Sequence, residues 1–137
     1  MSMDSKDNQV FNWVVRQGNI TLFGDNDKIH LEINKENNQT CLLTKSDAEE
    51  VVSILTDISG SIWDDPYYQK EPYPGKLYKL NGDGKAYWDI GATKLFVGLN
   101  DKEDALEMNV EGDPVMKVSV NASIEIIQIM SHFSNRL

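Results

Sequence analysis

The side chains that most often do chemistry in proteins are few and dispersed in this chain. It contains two histidines, His30 and His132, and one cysteine, Cys41, which is too few for a His/Cys zinc site. Ser131 precedes His132, but neighbours on a helix point about 100° apart and do not form a nucleophile–base pair. The sequence therefore predicts neither a zinc centre nor an activated serine, and Cys41 is interpreted as a buried, inert thiol.

Closely spaced carboxylates are the next candidates, and their surroundings do not suit calcium or acid–base catalysis. The stretches "DNDKIH" (25–30) and "DKEDAL" (101–106) begin like calcium loops but carry Ile29 and Ala105 where a ligand belongs. The pair Asp64–Asp65 precedes a proline, and adjacent side chains in an extended chain diverge, so it indicates the end of a helix. The sequence thus predicts a non-enzymatic protein without metal or cofactor.

The stretch "NGDGKAYWDIG" (81–91) combines three glycines with a lysine and two aromatic residues, which raises the question of phosphate binding. A dinucleotide-binding loop requires G-x-G-x-x-G between a strand and a helix, whereas Gly91 lies seven residues beyond Gly84. Asn, Gly and Asp between two apolar runs are typical of a hairpin turn instead. We expect a hairpin here, with Trp88 in the core.

Length and composition indicate one globular domain over residues 1–137. Hydrophobic residues make up 40% of the 137 residues and charged residues 26%, which is typical of a folded, soluble chain. No apolar run approaches the roughly 18 residues that cross a bilayer. The first residues, "MSMDSKDNQ", are polar and acidic, so they predict a frayed tail and not a signal peptide. The expected location is cytoplasmic, without membrane contact.

The net charge of −9 limits the classes of partner. Generic binding to a phosphate backbone requires an excess of lysine and arginine, so this charge disfavours nucleic acid. It favours solubility or contact with a basic protein. The charge is uneven, however, because residues 66–96 carry five lysines against three acidic residues.

An internal repeat appears when the chain is shifted against itself by 75 residues. Residues 31–55 then align with residues 106–130 without a gap, and six of the 25 pairs are identical. The same shift places Trp13 on Trp88. Composition alone would give roughly one or two identities in this window, so the chain appears duplicated.

The two halves predict the same order of elements. Each alternates apolar and polar residues over four segments, as half-buried strands do, and then repeats apolar residues at helical spacing, with Ser46 and Asn121 as the expected helix N-caps. One further strand, "KLYKL" (76–80), precedes the second unit. The predicted fold is α+β, with two tandem ββββα repeats, each an antiparallel meander plus one helix, fused about a pseudo-twofold axis into one domain. The units cover about 9–63 and 76–137, joined by a proline- and tyrosine-rich crossover at 64–75.

Two surfaces could recognise a partner. Period-two alternation directs one set of lysines and aromatics away from the helix, on an open sheet face that could stack bases: Lys85, Tyr87, Lys94, Phe96 and Lys117. The crossover region supplies the second set, Trp63, Tyr67, Tyr68 and Tyr73. Tyrosine and tryptophan dominate binding hot spots, although these rings could instead pack back over the sheet.

The leading prediction is a small acidic protein that binds another protein, as an inhibitor, an immunity-type protein or an adaptor. The alternative is binding of single-stranded nucleic acid on the open sheet face. The plan of two strand-rich units, each ending in a helix, is similar in outline to the single-stranded nucleic-acid-binding Whirly and PUR-type domains, but architecture does not fix function. The remaining alternatives are a small-ligand site between the halves and an enzyme without a readable motif. The second helix carries more apolar residues than one narrow stripe, so we expect it to be buried on two sides or at a homodimer contact.

Overall fold

The computed structural model describes residues 9–37 and 39–137, so residues 1–8 of the predicted tail lie outside the described residues. Within these ranges the chain forms an α+β fold with two helices and two antiparallel sheets, which confirms the predicted class. The strands are β1 (Phe11–Val14), β2 (Asn19–Asp25), β3 (Lys28–Asn34), β4 (Cys41–Leu43), β5 (Lys79–Leu80), β6 (Ala86–Ile90), β7 (Thr93–Leu99), β8 (Leu106–Glu111) and β9 (Val115–Val118), and the helices are α1 (Lys45–Asp64) and α2 (Val120–Ser134).

The two sheets exchange a strand. Sheet A has the order β1-β2-β3-β9, and sheet B has the order β4-β8-β7-β6-β5. Leu31 of β3 is therefore opposite Met116 of β9, and Cys41 of β4 is opposite Met108 of β8. The meanders expected from the sequence differ from this arrangement, since the three-strand meander β1–β3 is completed by β9 and the four-strand meander β5–β8 is completed by β4.

Each helix begins directly after an exchanged strand. The Thr44 hydroxyl accepts a hydrogen bond from the Asp47 amide at 3.0 Å, and the Asp47 carboxylate accepts one from the Thr44 amide at 3.2 Å, which is a complete capping box. Ser119 caps α2 by accepting from the Ala122 amide at 3.1 Å. The expected caps, Ser46 and Asn121, are two residues late, because Thr44 with Asp47 offers the same pairing as Ser46 with Glu49 and lies nearer the strand.

Both sheets and both helices enclose one hydrophobic core. The alternation predicted for the second half is confirmed, because the inward positions of β6 to β9 are buried, with Ile90 only partly so: Trp88, Leu95, Val97, Leu106, Met108, Met116 and Val118. The repeat predicts equivalent core positions for Trp13 and Trp88, but their environments differ, since Trp88 is 2% exposed whereas Trp13 is half-buried and stacks on Phe11.

The hairpin predicted at "NGDG" is confirmed. The Asn81 amide donates to the Lys85 carbonyl at 2.9 Å, and the Asn81 side chain accepts from the amides of Asp83 and Lys85. Gly84 has a φ of 80°, the left-handed conformation that glycine adopts at low cost. This turn joins β5 to β6 and positions the aromatic residues of β6.

A glycine packed against the end of β3 and against Cys41 of β4 gives a stability test. Gly18 has a φ of +96°, and a Cβ there would lie 2.5 Å from the Asn34 carbonyl oxygen. We expect Gly18→Ala to lower the free energy of unfolding by about 2 kcal/mol, measured by urea denaturation, because both strain and a backbone clash result. Gly82→Ala is the matched control, since its Cβ would meet nothing within 4 Å. Equal effects of the two substitutions would contradict the packing described.

Candidate functional site

The outer face of sheet B gathers four of the five sheet residues predicted to bind a partner. Tyr87 of β6 is opposite Phe96 of β7, and their ring centroids are 5.3 Å apart. The Lys94 ammonium lies 5.6 Å from the centre of the Tyr87 ring, within range of a cation–π contact. Lys85 comes just before β6, and its side chain packs over Gly98 of β7 on this same outer face. Lysines and aromatics are therefore juxtaposed on this face.

The structure does not bring Lys117 to this face. Lys117 lies on β9, which pairs with β3 in sheet A, where it is opposite His30. Its ammonium is 3.1 Å from the Asp25 carboxylate. The strand exchange explains this position, because β9 of the second half joins the sheet of the first half and carries Lys117 with it.

Acidic neighbours offset the positive charge on the outer face of sheet B. Lys85 forms an ion pair with Glu107, and Lys79 lies 3.4 Å from the Asp89 carboxylate. Lys94 is opposite both Asp89 and, on the other side, Glu111. A balanced face of this kind attracts a phosphate backbone weakly, since that attraction depends on an excess of cations.

The structure separates the four aromatic residues of the crossover region. Tyr67 is 92% exposed, and Tyr73 and Trp63 are 55% and 39% exposed. Tyr68 is half-buried against the core, with its ring 6.2 Å from that of Trp63. The Lys70 ammonium lies 4.9 Å from the Trp63 ring. Trp63 and Tyr67 thus present aromatic surface, whereas Tyr68 packs inward as the sequence analysis allowed.

Sequence reasoning missed the buried carboxylate of Glu125. This side chain is 3% exposed and accepts hydrogen bonds from the Trp88 indole at 2.9 Å, from the Leu77 amide at 2.8 Å and from the Tyr78 amide at 3.0 Å. The Tyr73 hydroxyl also donates to it. The available signal was a single acidic residue within the apolar run "IEIIQIM" (124–130). Glu125 therefore fastens the end of the crossover to α2 and to β6.

The four donors determine the protonation of this group. Burial disfavours the carboxylate, but the hydrogen bonds from Tyr73, Leu77, Trp88 and Tyr78 together hold the pKa of Glu125 below its ordinary value of 4.5. The same contact raises the pKa of Tyr73 to about 12, because the Glu125 carboxylate accepts its proton in a hydrogen bond. Glu125 is thus ionised and fully engaged at neutral pH.

An apolar concavity lies between the two helices. We call it the helix groove, with a volume of about 300 Å³ and a lining of Thr56, Ser59, Gly60 and Trp63 from α1 and Val120, Ile124 and Ile127 from α2. Ser59 and Ser123 form a buried hydrogen bond of 2.7 Å between the helices. The small residues Ser59 and Gly60 of α1 permit this close approach. Ile124 of α2, 40% exposed, and Trp63 of α1 lie at the surface on opposite sides of the groove.

Charge differs between the two sides of the helix groove. Helix α1 contains one lysine and five acidic residues, Asp47, Glu49, Glu50, Asp57 and Asp64. Helix α2 contains no lysine or arginine, and its one glutamate is the buried Glu125. The residues that line the groove are therefore uncharged; the acidic residues of α1 lie outside this lining, and the Lys70 ammonium lies over the Trp63 ring at its edge.

Comparison with protein-family models, with curated proteins and with solved structures found no match. Within residues 9–37 and 39–137, no group of three or more His, Cys, Asp or Glu side chains is arranged to hold a metal ion. Neither α1 nor α2 combines the length and apolarity needed to span a membrane. Cys41 is buried, as the sequence predicted, and burial with the nearby Asp47 charge raises its pKa to about 12.

Glu125→Gln tests the role of the buried carboxylate. Since the folded pKa of Glu125 is lowered, its contribution to stability is fully present above its ordinary pKa of 4.5 and is lost as the pH falls below that value through the lower folded pKa. We expect the variant to be about 2 kcal/mol less stable at neutral pH, because charge-assisted hydrogen bonds are removed. Urea denaturation across the acidic range should show the wild type and the variant converging as the pH falls.

The matched control is Glu50→Gln, which replaces the exposed glutamate found 75 positions earlier on α1. Its stability should follow that of the wild type at every pH. A Glu125→Gln variant whose stability parallels the wild type throughout the acidic range would show that this carboxylate does not stabilise the fold.

Proposed function

We propose that the protein acts by binding another protein and that the helix groove is its contact surface. An inhibitor, an immunity-type protein and an adaptor all belong to this class. The observation that carries the proposal is the exposure of Ile124 and Trp63 around an apolar concavity on an otherwise acidic chain. Exposed apolar surface rimmed by polar residues is characteristic of interaction sites.

The composition of the helix groove supports this choice over the other surfaces. Tryptophan and large aliphatic residues contribute most to protein interfaces when a pocket desolvates them. Trp63 and Ile124 provide such residues, and Ile127 and Val120 extend the apolar floor between them. Tyr67 lies four residues beyond Trp63 and is 92% exposed, so it can extend the contact along the crossover.

A non-enzymatic role is part of the proposal. Cys41 is a poor nucleophile, because its pKa of about 12 keeps the thiol protonated at neutral pH. Asp65 is the C-cap residue of α1, and its carboxylate accepts from the Tyr67 amide at 2.9 Å, which is a structural role. These observations favour binding over catalysis.

The outer face of sheet B is the alternative surface, for single-stranded nucleic acid. The Tyr87–Phe96 pair provides stacking area. The ion pairs of Lys85 and Lys79 and the position of Lys117 on sheet A reduce the positive field that this function requires. The helix groove is therefore the favoured surface.

We also propose that the chain arose by duplication of one ββββα unit and that the two copies are related by a pseudo-twofold axis. The N-caps Thr44 and Ser119 lie 75 positions apart, and the fourth strand of each half crosses to the other sheet. The two exchanged strands pair in different registers, however. Leu31 is opposite Met116, so the shift of 75 residues would place Leu106 opposite Cys41, whereas Leu106 is opposite Leu43. On this view the groove lies where the two equivalent helices meet.

Photo-crosslinking at the helix groove tests the proposed function. A benzophenone amino acid replaces Ile124 in one variant and Val14 in a control variant, since Val14 is 83% exposed on the outer side of sheet A. Both proteins are irradiated in a lysate of the source cells, and adducts are identified by mass spectrometry. We expect a discrete protein adduct from position 124 that position 14 does not give.

Identical adduct patterns at the two positions would contradict the helix groove as the contact surface. A parallel titration uses a fluorescent single-stranded oligonucleotide. Micromolar binding that weakens steeply with added salt would favour the sheet face instead, and Phe96→Ala should then reduce it.

A further inference from the structure

We propose that the partner of the helix groove is a basic amphipathic helix of another protein. This inference rests on the proposed function and names the chemistry of the partner. It follows from three properties of the groove: its lining by helices, its one-sided charge and the composition of the chain itself.

The helix groove suits a helix better than a strand. Except at Val120, the first residue of α2, the lining residues lie inside α1 or α2, where the backbone groups are bonded within the helix, so an extended peptide would find few main-chain partners there. A helix satisfies its own backbone and offers an apolar stripe, which packs into the depression between two neighbouring helices. Gly60 and Ser59 leave room for such a side-chain stripe beside Trp63 and Ile124.

The charge of the flanking helix selects basic side chains on that partner. Glu49 lies seven residues before Thr56, about two turns along the same face of α1. Asp64 follows Trp63 at the end of the helix. Lys70, over the Trp63 ring, is the cation described next to the groove, and the acidic residues of α1 outnumber it. A helix seated in the groove would therefore meet net negative charge on the α1 side, which attracts lysine or arginine and repels glutamate and aspartate.

A second copy of this chain does not meet that requirement. Helix α1 carries five acidic residues against one lysine, and α2 carries no lysine or arginine. Each copy also has a net charge of −9. Juxtaposed grooves would oppose like charges, which is costly at an interface, so a different protein is the better occupant.

Model peptides test this inference. The basic probe is a fluorescent helical peptide with leucines at helical spacing and lysines on its polar face. Two analogues serve as comparisons. One has glutamates in place of the lysines, and the other is a scrambled basic peptide without an apolar stripe. Fluorescence anisotropy gives the Kd of each. We expect the basic probe to bind at least about tenfold more tightly than either analogue.

Variants locate the binding. Ile124→Gln should weaken the basic probe by about tenfold, whereas the control Val14→Gln, also at an exposed apolar residue, should change its Kd less than about twofold. The double variant Glu49→Gln with Asp64→Asn should weaken binding about threefold or more at low salt and lower its salt dependence. Circular dichroism and sedimentation check that each variant folds and remains unassociated.

The outcomes separate this inference from the function on which it rests. Equal affinity for the basic and acidic peptides, both lost in Ile124→Gln, would overturn the charge inference and leave the groove as a binding surface. Affinity for the basic probe that Ile124→Gln does not reduce would overturn the helix groove as its site. No binding of the basic helix, or a dimer that Ile124→Gln dissociates, would overturn the inference, and crosslinking at position 124 would then decide the proposed function alone.

Discussion

The exchange of β4 and β9 between the sheets is the constraint on which the rest of the structure depends. One residue, Thr44 or Ser119, separates each exchanged strand from the helix that follows it. The position of each helix is therefore tied to the sheet of the opposite half. Gln17 adds a further link, because its backbone pairs with Leu42 of β4 through hydrogen bonds of 3.0 and 2.9 Å. Neither half can complete its sheet without the strand that the other half supplies.

This constraint also creates the candidate binding surface. The helix groove takes four lining residues from α1 and three from α2, so it exists only when the two halves are joined. The Ser59–Ser123 hydrogen bond fixes the helices at close distance, and a buried polar pair of this kind specifies alignment as well as adding stability. Glu125 acts on the other side of α2, where it holds the crossover and Trp88. The apolar side chains around the groove therefore stand on a supported helix pair.

The sequence predicted most elements of the fold because their signals are local. Period-two alternation placed Lys94 and Phe96 on the same face, as β7 has them, and turn chemistry identified the hairpin around Asn81. The sequence did not predict which sheet each strand joins. The alternation in β9 indicates which of its residues are buried, but it does not indicate which strand pairs with β9. For that reason Lys117 was assigned to the wrong face.

The candidate site was predictable only in part for the same physical reason. Trp63 was identified from its residue type, but the groove beside it depends on how α1 meets α2. The role of Glu125 depends on four donors that converge from three separate places in the chain. A glutamate on an apolar face predicts strain or a buried network, and the sequence gives no means of choosing between them. Long-range convergence of this kind requires the folded structure.

Native-state hydrogen exchange tests the central claim, that the exchanged strands make the two sheets one cooperative unit. The slowest amides of β2 and β3 report the opening of sheet A, and those of β7 and β8 report the opening of sheet B. The account predicts one shared free energy of opening for both sets, equal to the global free energy of unfolding. Two sets whose opening free energies differ by more than about 1 kcal/mol would show that the sheets unfold separately and would contradict it.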